Sequence, residues 1–182
     1  MLSNQNTDRR AGLLEEVALE DMLNARERRA SIQRSLLDEL GAPLVCLTLN
    51  IPGPVKVLEG VPEAFDLGCR RIGESLETAG LSVLRRLELR EKTGYELFLS
   101  VDGDTMAIKA LMAAIEDQGR LGRLYDIDVI RPDGLKVSRE EFGLAPRTCL
   151  LCGQPAHACS RSRRHSVAEL VEEIQAILRE GL

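Results

Sequence analysis

The order of apolar patterns between residues 44 and 130 constrains the fold of this chain more than any other feature. The run at 44–50 (LVCLTLN) reads as a buried strand and stops at Pro52-Gly53-Pro54. Residues 62–79 put Ala64, Leu67, Gly68, Ile72, Ser75, Leu76 and Ala79 on one helical face, and Gly80 closes that helix. Residues 82–89 and 95–101 read as two strands joined by a charged turn containing Gly94. Asp104 or Thr105 caps a helix running to about Gln118. A last strand at 124–130 ends in the turn Pro132-Asp133-Gly134. Strand-helix-strand-strand-helix-strand is the order of an α+β, ferredoxin-like βαββαβ core.

Two additions flank that core. A helix at 17–40, rich in Ala, Leu, Glu and Arg, ends at Gly41 and Pro43. A Cys/Arg-rich segment leads into a helix at 167–179, opened by the capping box Ser166-Val-Ala-Glu169. Residues 1–12 read as disordered. Residues 13–182 read as one domain, since no linker, repeat or low-complexity stretch divides them.

Composition excludes some functions. Tryptophan is absent and aromatics are 3%, so stacking of nucleic-acid bases has few platforms. A net charge of -5 also argues against a nucleic-acid partner, although a local basic patch survives that objection. No apolar run approaches the roughly 20 residues a bilayer requires, and the N-terminus lacks the apolar region of a signal peptide. The chain reads as cytoplasmic and not membrane-bound. Its five cysteines are odd in number and expected to be reduced, with Cys46 and Cys69 as core filler.

Strand alternation places Tyr125, Ile127 and Val129 on one face and Leu124, Asp126, Asp128 and Ile130 on the other. With the first and third strands parallel at the sheet centre, Asn50, Asp102 and Asp104 would converge with Arg123, Asp126 and Asp128 at one end of an open face. Asp126 and Asp128, with Asp102, would then be candidate ligands for Mg2+ beside a polyphosphate. The alternative is a pair of solvated carboxylates on an edge strand. A helix cap explains Asp104 without a metal.

Residues 147–165 hold three cysteines, two histidines and four arginines, and no carboxylate occurs from Phe142 to Ala168. Arg161, Arg163 and Arg164 precede a helix N-terminus, where backbone N–H groups already favour anions. Guanidinium groups add paired phosphate contacts. Cys149-x-x-Cys152, His157, Cys159 and His165 offer enough ligands for tetrahedral Zn2+. Metal-free packed thiols and a solvated basic patch are the competing readings.

The same residues resemble a known family. Arg147-x-Cys149-x-x-Cys152, Ala156 and Cys159-Ser160-Arg161-Ser162-Arg163-Arg164-His165 are similar to the C-terminal motif of the apo-citrate lyase phosphoribosyl-dephospho-CoA transferases, or holo-citrate lyase synthases. Three further segments agree in order: Ala25-Arg26-Glu27-Arg28 with Gln33 and Leu36-Leu37; Leu47-Thr48-Leu49-Asn50-Ile51-Pro52-Gly53-Pro54-Val55-Lys56; and Gly122-Arg123-Leu124-Tyr125-Asp126-Ile127-Asp128-Val129 with Asp133-Gly134 and Ser138-Arg139. The resemblance covers about residue 17 to the end. Ser160 departs from the expected alanine, a small change.

The resemblance implies transfer of the prosthetic group of 2'-(5''-triphosphoribosyl)-3'-dephospho-CoA to a serine of the apo acyl carrier subunit of citrate lyase, with release of diphosphate. The residue roles are inferred from chemistry and not carried over from the family. Asp126 and Asp128 are candidate catalytic residues through the metal. Lys56, Arg123, Arg147, Arg161, Arg163 and Arg164 are candidate phosphate ligands. His165 is a candidate to deprotonate the serine or to bind phosphate. Competing functions are a holo-carrier synthase for malonate decarboxylase, a zinc-binding interaction module without enzymatic activity, and a non-catalytic assembly scaffold.

Overall fold

The computed structural model describes residues 10–182. Its elements are α1 (Leu19–Leu40), β1 (Leu44–Leu49), α2 (Val61–Thr78), β2 (Ser82–Glu91), β3 (Gly94–Asp102), α3 (Thr105–Glu116), α4 (Gly119–Gly122), β4 (Tyr125–Ile130), α5 (Ala156–Ser162) and α6 (Val167–Gly181). The fold is α+β. The strands form one four-stranded sheet in the order β2-β3-β1-β4, and every neighbouring pair is antiparallel. None of the described helices is long and apolar enough to cross a membrane.

The main core lies on one face of the sheet. Val45 and Leu47 of β1, Leu97, Leu99 and Val101 of β3, and Tyr125, Ile127 and Val129 of β4 pack against α2, α3 and α6. Phe65, Ile72 and Leu76 come from α2, Ile108 and Met112 from α3, and Ile174, Ile177 and Leu178 from α6. The strand residues alternate at the period expected of a half-covered sheet.

The other face is covered too, contrary to the expectation of an open one. Leu36 and Leu37 of α1, with Ile32, pack on Leu44, Cys46, Phe98 and Ile130. Four ion pairs to the β2–β3 hairpin fix the register of α1: Arg29 with the buried Glu96, Arg28 with Glu91 at 2.8 Å, Glu39 with Arg85 at 2.7 Å, and Asp21 with Lys92 at 2.7 Å. α1 is therefore the second layer on the sheet.

The expected parallel β1 and β3 are also corrected: they run antiparallel, with Leu44 opposite Ser100. This has a direct consequence for the carboxylates. Asp126 lies opposite Thr48, whereas Asp102 lies two residues beyond the Leu44 end. Six residues at ~3.3 Å each put Asp102 about 20 Å from Asp126 along the strands. Asp102 thus does not join Asp126 and Asp128, and Asp104 caps α3 by accepting from Ala107 N at 2.9 Å.

The stretch expected to be disordered, 1–12, falls mostly outside the described residues. Its last part is docked: Arg10 pairs with Glu63 at 2.8 Å, and Ala11 O accepts from the Tyr95 hydroxyl at 3.0 Å.

β4 is an edge strand whose outer backbone groups need partners. Side chains and a loop supply them. Arg147 donates to Tyr125 O at 2.8 Å, Ile127 N donates to Glu116 at 2.7 Å, and Lys109 donates to Ile127 O at 3.1 Å. Val137 N donates to Val129 O at 2.9 Å. The capped edge is also where the candidate site begins.

Candidate functional site at the edge of the sheet

A cleft of about 1050 Å³ opens between the end of α3, the start of β4 and the C-terminal segment. That is at the upper end of the ~300–1,000 Å³ typical of small-molecule sites. Arg123, Arg139, Arg147, Arg163 and His165 line it, as do the apolar Leu144, Leu150, Leu170 and Ile174. Such a lining suits a ligand with a strongly anionic part and a less polar part.

Local sequence explains each position. Gly122 closes α4 against the end of α3, where a Cβ would stand 2.6 Å from Ile115 O and 2.8 Å from Glu116 O. Only glycine fits there, and it delivers Arg123 to the cleft. Gly53, in the turn after β1, has φ +83 and would place a Cβ 2.8 Å from Val167 at the start of α6. Close approach of that turn to α6 brings Asn50 and Pro52 to the same cleft.

Two of the arginines tie down the C-terminal segment as well as facing the cleft. Arg123 donates to Thr148 O at 2.9 Å and to Cys149 O at 3.2 Å. Arg147 reaches Tyr125 O, pairs with Glu116, and stands 3.5 Å from Asp126. Arg161, Arg163 and Arg164 make no ion pair among the described residues. Of these three only Arg163 lines the cleft.

Glu116 carries no signal in the sequence, being a lone glutamate at the end of an apolar helix. Its carboxylate is 3% exposed and binds Ile127 N, Arg147 and, at 3.0 Å, Arg139. Burial raises its pKa above the ordinary carboxylate value, against the pull of Arg147, the Ile127 N–H and Lys109. Arg139 was visible only as part of a motif. It also pairs with Asp117 at 3.1 Å.

The remaining expected residues stand apart. Asp126 is exposed at the edge of the cleft, beside Arg147. Asp128 shares its face but is paired with Lys136. Lys56 donates to Ile51 O at 2.8 Å and does not line the cleft. Burial, with the nearby Arg26, holds its ammonium below the usual lysine range. Arg161 and Arg164 point into solvent on and just after α5.

α5 itself was not anticipated. Its seven residues lie within the Cys/Arg-rich segment, between the small bridge Thr148–Pro155 and α6. Arg163 then adopts φ 48, a left-handed conformation rare outside glycine, and turns the chain back toward His165. Ser166 caps α6 with the expected capping box to Glu169.

That turn assembles a cluster. Cys149, Cys152, Cys159 and His165 each place a ligand atom within 4.8 Å of the others, the only such group among the described residues. Cys152 Sγ is 3.5 Å from Cys159 Sγ and 3.2 Å from His165 Nε2. These four can hold a metal ion. His157, a fifth residue of ligand type in this segment, is exposed and outside the group. Cys159 is pushed up to about 11 by burial and by Cys152 and Cys149. Cys149 is shifted down despite its burial, because the N–H groups of Leu151 and Cys152 and the neighbouring thiols favour its thiolate. By contrast Cys46 and Cys69 are buried apart from the cluster, and burial pushes both thiols up to about 12.

Comparison with known proteins gives a consistent result. Residues 17–181 match the family model of apo-citrate lyase phosphoribosyl-dephospho-CoA transferase. A protein of that name from Citrobacter koseri is 34% identical over 165 residues, 91% of this chain and 90% of the relative. A probable apo-citrate lyase phosphoribosyl-dephospho-CoA transferase from Streptococcus pyogenes is 38% identical over 170 residues, 90% of this chain and 86% of the relative. "Protein CitXG" of Haemophilus influenzae is 34% identical over 161 residues, 88% of this chain but only 35% of that longer protein. With nearly its whole length matched, this chain belongs to the apo-citrate lyase phosphoribosyl-dephospho-CoA transferase family.

Proposed function

We propose that this protein transfers the prosthetic group of 2'-(5''-triphosphoribosyl)-3'-dephospho-CoA, in the cytoplasm, to a serine of the apo acyl carrier subunit of citrate lyase. The observation that carries this reading is the cleft with its row of cations, Arg123, Arg139, Arg147 and Arg163, joined to an apolar wall. Guanidinium groups bind phosphate in paired contacts, and a triphosphate linked to two further phosphates needs several of them. The apolar wall suits the less polar pantetheine arm. Family membership supplies the reaction.

In the transfer, the serine Oγ attacks the α-phosphorus of the triphosphoribosyl group. The Oγ–P bond forms, the α–β phosphoanhydride bond breaks, and the serine proton ends on the released diphosphate. Negative charge builds on the departing oxygens, and arginines fixed beforehand by Glu116, Tyr125 O and Thr148 O meet it without reorganising. Arg161, Arg164 and Lys56 are assigned to the outer phosphates, which extend beyond the cleft.

Mg2+ would be held by Asp126 and Asp128, and it would neutralise charge on the diphosphate as it leaves. Asp126 fits this role as it stands, exposed beside the cleft. Asp128 fits only if Lys136 gives up its ion pair. Zn2+ is our reading of the Cys149, Cys152, Cys159 and His165 cluster. The sheet order, with βαββαβ succession, we read as ferredoxin-like, and residues 13–182 as one transferase domain.

The test is diphosphate release from the purified protein with apo carrier and substrate. Asp126→Asn and Asp128→Asn should each lower the rate, whereas Asp102→Asn should leave it unchanged. Near-normal rates in both of the first two variants would remove the magnesium assignment. Labelling of the malonate decarboxylase carrier in preference to that of citrate lyase would redirect the function.

A further inference from the structure

From Ser138 to Glu173 the only buried residues are Cys149 and Cys159. A stretch this long with so little apolar burial has no core of its own to hold its shape. Yet it supplies most of one wall of the cleft, including Arg139, Arg147 and Arg163. Phe142, Leu150 and Val171 reach the main core only as partly buried side chains, so something besides hydrophobic packing must help to fix it. Both buried residues belong to the four-membered cluster.

We infer that Cys149, Cys152, Cys159 and His165 form a closed zinc centre whose occupancy holds the arginine wall of the polyphosphate site in place. The inference rests on the reading above that the cleft takes a polyphosphate. Ligand atoms at ~2.0–2.3 Å from zinc lie roughly 3.3–3.8 Å apart along the edges of a tetrahedron. The separations of 3.2 and 3.5 Å at Cys152 match that spacing closely. With four protein ligands there is no open position, so the metal is structural and binds no substrate.

The centre joins three pieces of chain: the turn at Cys149–Cys152, α5 through Cys159, and the residue before the cap of α6. Each piece carries a cleft contact. Cys149 O accepts from Arg123 at 3.2 Å. Arg147 lies two residues before Cys149, and its carbonyl accepts from Ala156 N at 2.8 Å. Arg163 lies two residues before His165, in a left-handed conformation that a ligand bond at His165 would compensate. Three thiolates, a neutral imidazole and Zn2+ sum to a net negative charge, and Arg161, Arg163 and Arg164, in a stretch of sequence without carboxylates from 142 to 168, offset it.

The centre also changes the role of His165. Its Nε2 faces Cys152 and serves as a ligand, so it neither deprotonates the incoming serine nor binds phosphate.

The test uses the full chain and inorganic triphosphate as probe. Elemental analysis of the purified protein should give one zinc per chain. Stripping it with a reversible mercurial and a chelator should weaken triphosphate binding by about tenfold or more, and zinc added after excess dithiothreitol has removed the mercurial should restore it. Far-UV circular dichroism of the sheet and remaining helices should persist. His165→Cys, which keeps a ligand at that position, should retain zinc, triphosphate binding and diphosphate release, while His165→Ala should lose all three. Three results would overturn the inference: a protein that neither contains nor takes up zinc, unchanged triphosphate affinity after stripping, or His165→Cys that keeps zinc but loses transfer. Zinc-dependent triphosphate binding without diphosphate release would instead sink the transferase reading and leave the zinc centre standing.

Discussion

Replacing Glu116 tests the link between the fold and the cleft. Its carboxylate accepts from a backbone N–H of the edge strand and from two guanidinium groups, all on a side chain that is 3% exposed. Glu116→Ala leaves those donors without an acceptor, which costs about 3–5 kcal/mol for a buried charge pair broken on one side. For a domain of this size, about 2–4 °C are lost per kcal/mol, so the melting temperature should fall by about 6–20 °C. Glu116→Gln behaves differently. Burial already raises the carboxyl's pKa, so the fold favours its uncharged form over the charged one relative to the unfolded chain. A neutral amide of the same shape should therefore cost no more than about 1.5 kcal/mol.

Linkage fixes the sign of the pH dependence. The stabilising contribution of a carboxyl with a raised pKa is full below its ordinary value of 4.5 and is lost as pH rises through the folded-state value. Wild-type protein should gain stability on acidification across that window, and Glu116→Gln should lack this component. Calorimetry from pH 4.5 upward measures both. Triphosphate titration should show weaker binding in either variant, because Arg139 and Arg147 lose their anchor. An alanine variant within 1 kcal/mol of wild type would refute the reasoning, as would full triphosphate affinity in both variants.

Other substitutions probe the neighbouring parts. Gly122→Ala should cost about 1–3 kcal/mol, since its Cβ would press on Ile115 O and Glu116 O, and should weaken triphosphate binding by displacing Arg123. Thermal melts and titration read the two effects separately. Arg163→Gly should keep or slightly raise the melting temperature, because a left-handed non-glycine residue costs about 1–2 kcal/mol, yet it should weaken triphosphate binding. Lys136→Met should leave folding intact and free Asp128, so a lower magnesium concentration should then support half-maximal diphosphate release.

Much of this arrangement could be read from the residues. Period-two alternation located Tyr125, Ile127 and Val129 in the core, and the Ser166–Glu169 pair marked the start of α6. The opposite face of the sheet could not be read from it. Leu36 and Leu37 belong to a helix that is polar over most of its surface, and nothing local says which layer such a helix joins. Strand direction is likewise set by long-range pairing, not by local pattern. Parallel β1 and β3 brought Asp102 toward Asp126, and antiparallel pairing separates them. Glu116 was illegible for a different reason: its importance comes from Arg139 and Arg147, which are distant in sequence and adjacent only after folding. The four metal-binding side chains were visible as types and spacings. Their convergence depends on α5 and on the left-handed turn at Arg163, and neither has a local sequence signal.

The most direct test of the account is the mass of the apo citrate lyase carrier after incubation with this protein, Mg2+ and 2'-(5''-triphosphoribosyl)-3'-dephospho-CoA. The account predicts that the carrier gains the phosphoribosyl-dephospho-CoA group on one serine, with one diphosphate released per carrier. A carrier that binds the protein but keeps its original mass, with no diphosphate formed, would contradict it.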